Sequence, residues 1–393
     1  MLEFFSAILN SAKRSCNILF IAAALSYIIQ MVIIPKAVTM PIVIGLGAYI
    51  VFYTLHRGLR NVKIPLYSKL CFPFVAWVTL SIFWTVNPDY SFILIRVFLC
   101  FEFATLTGLF VKDEGSFENV LRGMVFGGFV SSVVVLSMQY QYIGMMRLGG
   151  DIYGSAMEFS GGLTISCYCC VALWKMERKN KYLILFSLFL ILCALSGSRT
   201  AVLYPVLFLC MFLFFYHQRV LGLLKVLIIS VILGSSILYS CKTIPALYNV
   251  IGRRMETLIE DRTDDRSYME RSLMKSYAIR LWKERPLVGW GCHGFAAKFR
   301  SIGKYAYSHC DYTEVLSCFG LVGFVLWYGP YIHIFKRRHL LRNAKGNWFQ
   351  TFLISLLALL AISISGSIVF INIKTMMLLA LIFEFLNRRL PND

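Results

Sequence analysis

Apolar stretches long enough to cross a bilayer recur along the whole chain, and nothing else in the sequence constrains the fold so tightly. About 17 or more consecutive, mostly apolar residues mark a membrane-spanning helix. Such runs are read at 17–34, 38–55, 70–86, 90–111, 120–140, 157–174, 182–198, 200–216, 222–241, 309–334, 348–367 and 370–387. A water-soluble fold is excluded by composition: 58% of residues are hydrophobic and 15% charged, where a soluble domain has about 25% charged. The longest mostly polar stretch, 243–308, falls between the ninth and tenth runs and leaves no room for a second, soluble domain. Lys13 and Arg14 precede an apolar run too long for the core of a cleavable signal, so that run reads as the first span. The expectation is one all-α polytopic membrane domain over 1–393, with about 12 transmembrane helices. Its one large loop, 243–308, contains short helices.

The net charge of +19 does not point to nucleic acid, because lysines and arginines sit in short loops between apolar runs, where they set topology. With the N-terminus inside, the short cytoplasmic segments carry 21 Lys and Arg residues and the short outer loops only Lys36, Arg147, Arg199 and Lys374. Both termini are therefore expected in the cytoplasm and the 243–308 loop outside. The twelve cysteines follow no metal-binding spacing. Most lie within apolar runs, where a thiol behaves as a small hydrophobe. Cys292 and Cys310, in or beside the outer loop, are the pair that an oxidising compartment would join.

Topology leaves some charges unexplained. Arg96 lies inside the fourth run, where it must snorkel or face a polar cavity. Glu102, six residues on, is too far round the helix to pair with it. Arg147 and Arg199 stand in otherwise sparsely charged outer loops, and the long loop adds more arginines, Arg271 and Arg280 among them. A guanidinium matches phosphate oxygens two at a time, so outward arginines above a helical bundle suit an anionic, lipid-linked substrate. A merely solvated basic loop is the plainer reading of any one of them. Residues 267–283 carry apolar positions at helical spacing, as in a helix that lies on a membrane or caps a bundle. The Gly289-Trp-Gly-Cys-His-Gly294 block follows no strand, so it fails the context of a dinucleotide loop. His309 opens the tenth run, with Asp311 and Glu314 behind it. A histidine there suits a general base near neutral pH, with either carboxylate to orient it or to place a sugar hydroxyl. A polar anchor at the membrane surface is the alternative for the same histidine.

Ser198-Arg199 closing an apolar run, Arg271 fifteen positions before a Pro286-Leu-Val-Gly-Trp-Gly block, and His309-Cys-Asp-Tyr-Thr-Glu ahead of Gly320 and Gly323 follow in that order. Together they resemble the O-antigen polymerase and O-antigen ligase superfamily, by motif in the C-terminal half and by topology elsewhere. The resemblance implies a membrane glycosyltransferase of the C type in the bacterial inner membrane, with its active site facing the periplasm. It implies an undecaprenyl-diphosphate-linked glycan donor, an inverting transfer, and no metal or other cofactor. Arg199 and Arg271 match arginines that hold the diphosphate, and His309 matches the catalytic histidine. Two positions depart from the pattern: Cys310 stands where Asn often follows the histidine, and Lys275 where a Trp is usual. A polymerase, with a lipid-linked repeat unit as acceptor and a chain-length regulator as partner, is the expected activity. A ligase acting on lipid A–core is the alternative. A transporter or flippase is disfavoured because the unexplained charges gather on one side rather than near the midplane.

Overall fold

The computed structural model describes residues 11–31, 36–56, 63–217, 228, 239–240, 242–245, 248–252, 266–302, 305–336 and 347–388. The ninth expected span, apart from residues 228 and 239–240, and Arg253, Arg254 and Arg262 lie outside these residues. Among the described residues the chain is helical without strands, an all-α polytopic membrane protein. The helices are α1 (Ser11–Ile28), α2 (Lys36–His56), α3 (Leu66–Leu80), α4 (Ser91–Phe110), α5 (Glu114–Gln139), α6 (Ala156–Glu177), α7 (Lys181–Leu195) and α8 (Arg199–His217). They continue with α9 (Arg266–Glu284), α10 (Gly294–Arg300), α11 (Asp311–Tyr328), α12 (Tyr331–Lys336), α13 (Trp348–Ser363) and α14 (Ile373–Arg388). Six segments, Leu66–Phe83, Ser91–Phe110, Glu114–Tyr142, Ala156–Glu177, Arg199–Tyr216 and Asp311–Lys336, are long and apolar enough to cross a membrane. Shorter apolar helices fill the expected positions at 17–28, 40–53, 181–195 and 348–363.

Polar residues set where several helices begin. Asp113 caps α5: its carboxylate accepts from Ser116 N at 2.7 Å, while Ser116 Oγ accepts from Asp113 N at 3.0 Å. This reciprocal cap starts the helix a turn and a half before the apolar run does, which draws Arg122 into its first turns.

The helices gather into two compact units. The first comprises residues 1–35, 112–262 and 341–359. In it Tyr27 of α1 reaches α6, with its hydroxyl 2.7 Å from Ser166 Oγ and donating to the Gly162 carbonyl at 3.0 Å. Phe117 of α5 packs edge-on against Phe349 of α13, with ring centroids 4.4 Å apart.

The second unit comprises residues 36–111, 263–340 and 360–393. Glu384 of α14 accepts the first free amide of α3, Leu66 N, at 2.6 Å, so a carboxylate 318 residues away caps that helix. Phe74 of α3 sits among Phe319, Trp327 and Phe370. The expected tenth span is not one straight rod. Gly320, at φ 68° and ψ −167°, breaks α11 into two limbs. That conformation is open almost only to glycine, and a Cβ there would run into the Leu287 carbonyl. At the break, residues 286–291 lie alongside α11. Leu321 N and Val322 N donate to the Pro286 and Leu287 carbonyls, and Trp290 N and Gly291 N to the Ser317 and Cys318 carbonyls, at 2.7–3.2 Å. The glycines of that block serve close backbone packing: Gly289, at φ 67°, is pressed against the backbone of Cys318.

Cys292 and Cys310 are both free. The Cys292 thiol points to the Tyr90 carbonyl, and Cys310 is buried at the start of α11. The pairing expected from compartment chemistry is not formed, because each cysteine is packed into its own part of the unit.

Candidate functional site

The segment that carries His309 is held on both sides by buried carboxylates. Ser308 N donates to Glu314 Oε2 at 2.7 Å, and Thr313 Oγ1 donates to Ser308 Oγ at 3.0 Å. These bonds fold residues 308–310 over the first turn of α11. Beyond them Asp311, fully buried, accepts from Trp327 Nε1 at 2.8 Å, Tyr328 Oη at 2.6 Å, Val369 N at 2.6 Å and Phe370 N at 3.4 Å. The Asp311 amide donates to the Ile364 carbonyl at 2.9 Å. In a straight helix residues 311 and 327 would stand about 24 Å apart. They meet because α11 folds back at Gly320.

Between these two attachments His309 adopts φ 55°, the left-handed region that residues other than glycine rarely enter. A conformation of this kind persists only where the surroundings impose it, and the bonds at Ser308 and Asp311 do so. The imidazole is half-buried and lies 4.2 Å, centroid to centroid, from the Tyr307 ring. Its Nδ1 has no hydrogen-bond partner among the described residues.

α9 brings cations to this histidine. Met274, Ala278 and Leu281, at helical spacing, are its buried side. Arg271 and Lys275, four residues apart and so on one flank, act electrostatically on His309, and Lys275 also donates to the Ser365 carbonyl. Burial pushes the His309 imidazole down to about 4, with Arg271 and Lys275 adding to the effect and Glu270 opposing it. At neutral pH the ring is therefore uncharged and able to accept a proton.

The other residues singled out by sequence fall elsewhere. Neither Asp311 nor Glu314 is hydrogen-bonded to His309: both are spent on the backbone and on neighbouring side chains. Arg280, on α9, is exposed and lies over the Tyr277 ring at 4.6 Å. Arg96 reaches back one turn of α4 to lie over Phe92 at 4.6 Å, the snorkelling geometry. Arg147 and Arg199 belong to the first unit. There Arg147 Nε donates to the Ser196 carbonyl at 2.8 Å and so braces the Ser196-Gly-Ser-Arg199 turn from which α8 starts. Sequence reasoning missed Ser308, Trp327, Tyr328 and the 364–370 connection. No periodicity marks them, since only the fold-back at Gly320 brings them to the His309 segment. Among the described residues no group of three or more His, Cys, Asp or Glu side chains is arranged to hold a metal ion.

Residues 184–328, from α7 to the end of α11, match the family described as O-antigen ligase. Over that part of the chain the match supports the resemblance to the O-antigen polymerase and ligase superfamily. The match takes in Arg199, Arg271, Arg280, His309, Asp311 and Glu314, and leaves Arg96 and Arg147 outside it. No curated protein matches the chain. The apolar helices and the matched domain together suggest a multi-pass membrane protein of the O-antigen ligase or polymerase type.

Proposed function

We propose that the chain is an O-antigen polymerase of the bacterial inner membrane, joining undecaprenyl-diphosphate-linked repeat units at the periplasmic face, with both termini in the cytoplasm. What supports this reading above all is an uncharged histidine held in a strained backbone beside Arg271 and Lys275. In the proposed reaction the imidazole takes the proton of an acceptor sugar hydroxyl. The hydroxyl oxygen bonds to the donor's anomeric carbon as the bond from that carbon to the diphosphate breaks. The electron pair leaves with the diphosphate, and the anomeric configuration inverts. Arg271 and Lys275 neutralise the leaving charge, a task that fixed cations perform without reorganisation. Arg199 is a further phosphate contact by family resemblance, and Arg147 acts through the turn it braces. Arg96 and Arg280 add to the positive field that draws an anionic donor. Asp311 and Glu314 hold the histidine's backbone and do not exchange protons with substrate.

Arg271→Ala should raise the donor KM by about 10- to 100-fold, the range of a lost charged hydrogen bond. It should also move the acid limb of kcat/KM upward, since Arg271 holds the His309 pKa down. An unchanged donor dependence would argue against diphosphate binding at this residue.

A ligase is the second reading, favoured by the description of the matching family. Deletion of the gene followed by a lipopolysaccharide gel separates the two. Core carrying a single repeat unit is expected if the polymerase is lost. Bare core with unattached polymer would make the protein the ligase instead.

A further inference from the structure

The turn at Pro286–Val288, expected to belong wholly to the outer loop, has the surroundings of a membrane-embedded segment. It lies against the broken part of α11, whose neighbouring residues Leu321, Val322 and Val325 are exposed and apolar. Leu287 is itself 62% exposed and Val288 is exposed beside it. On the other side stands the end of α3 and its continuation, with Leu80 exposed and Phe83 86% exposed. The carbonyls of the turn are all engaged. Pro286 O accepts from Leu321 N and Trp282 Nε1, Leu287 O from Val322 N, and Val288 O from Trp84 Nε1. Trp77 Nε1 donates to the Phe319 carbonyl at 3.0 Å, and the Trp77 and Trp84 rings lie 5.3 Å apart. Irregular backbone is tolerated at membrane depth only when its polar groups are satisfied by protein, and the three carbonyls of the turn meet that condition.

Length decides the depth. From Lys336, exposed at the end of α12, to Leu321 is sixteen residues, at most ~24 Å of helix. The hydrocarbon core is ~30 Å thick. With Lys336 at one edge of that core, residue 321 stops short of the other edge by about a turn of helix. Along α3, Trp77 stands eleven residues beyond Leu66, ~17 Å up the helix, so it too falls short of the opposite edge. We infer that Pro286–Val288 is re-entrant, with Leu287 seated among phospholipid acyl chains of the leaflet opposite Lys336. The occupant is lipid because Leu287 and Val288 lie beside the exposed apolar residues Leu80, Phe83, Leu321, Val322 and Val325, with the exposed Lys283, Glu284 and Arg285 before the turn on its headgroup side. The segment thereby ties the hinge of the His309-bearing limb to a fixed depth in the bilayer.

Photo-crosslinking of the full-length protein in phospholipid nanodiscs tests this. With a benzophenone side chain at Leu287, lipid adducts are expected at the yield obtained from Phe83. At Arg280, exposed on α9, few are expected. A yield at Leu287 no higher than at Arg280 overturns the proposal. If the modified chain does not fold, hydroxyl-radical footprinting of the unmodified protein in nanodiscs decides instead. Leu287 should stay unoxidised although it is more than half exposed, and oxidation at the rate of a water-exposed leucine refutes its burial in lipid. Neither measurement depends on transferase activity.

Discussion

Replacing His309 by Ala should abolish glycan transfer while leaving the protein in the membrane at its normal level. A positioned general base is worth about 10²- to 10⁴-fold in rate. Folding should suffer little, because Nδ1 makes no hydrogen bond among the described residues and the ring is half-buried. The backbone at φ 55° is a cost that Ala bears poorly, about 1 kcal/mol or more. His309→Asn is the control for this, since Asn enters the left-handed region readily. Asn should match or exceed Ala in stability and be equally inactive. A variant that keeps half the wild-type rate would remove His309 from the chemistry.

The same residue sets a pH signature. Its folded pKa, depressed to about 4, lies below the ordinary value of about 6.5. Above about 4 the imidazole is neutral and competent, so kcat/KM should hold through pH 6 and fall only near 4. Stability follows the same sign. The unfolded chain binds the proton first, so the contribution of the neutral buried ring is complete above about 6.5 and is lost as pH falls from there towards 4. Thermal melts of wild type and His309→Asn should lie close together at neutral pH and diverge across that window, with wild type the less stable at the acid end. A constant difference would mean that the histidine titrates normally.

Asp311→Ala should be the most damaging substitution to the fold. It strands four donors at once: Trp327 Nε1, Tyr328 Oη, Val369 N and Phe370 N. A buried donor left unsatisfied costs about 1–3 kcal/mol, against a total stability of about 5–15 kcal/mol for a typical domain. The variant should therefore fail to accumulate, or melt far below wild type in detergent size-exclusion assays. Asp311→Asn should fall between the two. Its oxygen can still serve the Val369 amide, while its amino group opposes the Trp327 N–H, donor against donor. An Asp311→Ala protein as stable as wild type would show that α11 does not need this attachment.

Much of this molecule is legible in one dimension. Hydrocarbon demands a certain length of apolar helix, so span positions can be read from runs, and the described helices begin and end within a few residues of them. The larger differences have local causes, such as the Asp113 cap that starts α5 early. The groups proposed to react are also visible as residue types: His309 and Arg271 stand out as a base and a charge that topology does not require. Their roles are less visible. Asp311 reads as a partner for the histidine because it is near in sequence, yet its carboxylate is turned to Trp327 and the 369–370 amides. Hydropathy could not reveal this, since a run broken at Gly320 has the same average as a straight one.

The sequence alone therefore determined the class of protein, an all-helical membrane chain, because apolar run length is a local property that the bilayer reads directly. It also determined which residues were candidates for chemistry. The tertiary structure decided where each of them is held and what it touches. Only a backbone conformation open to glycine at residue 320 can fold α11 back on itself, lay the 286–291 turn against the break and leave His309 strained beside two cations. Each of those contacts joins residues distant in the chain, and no local pattern encodes them.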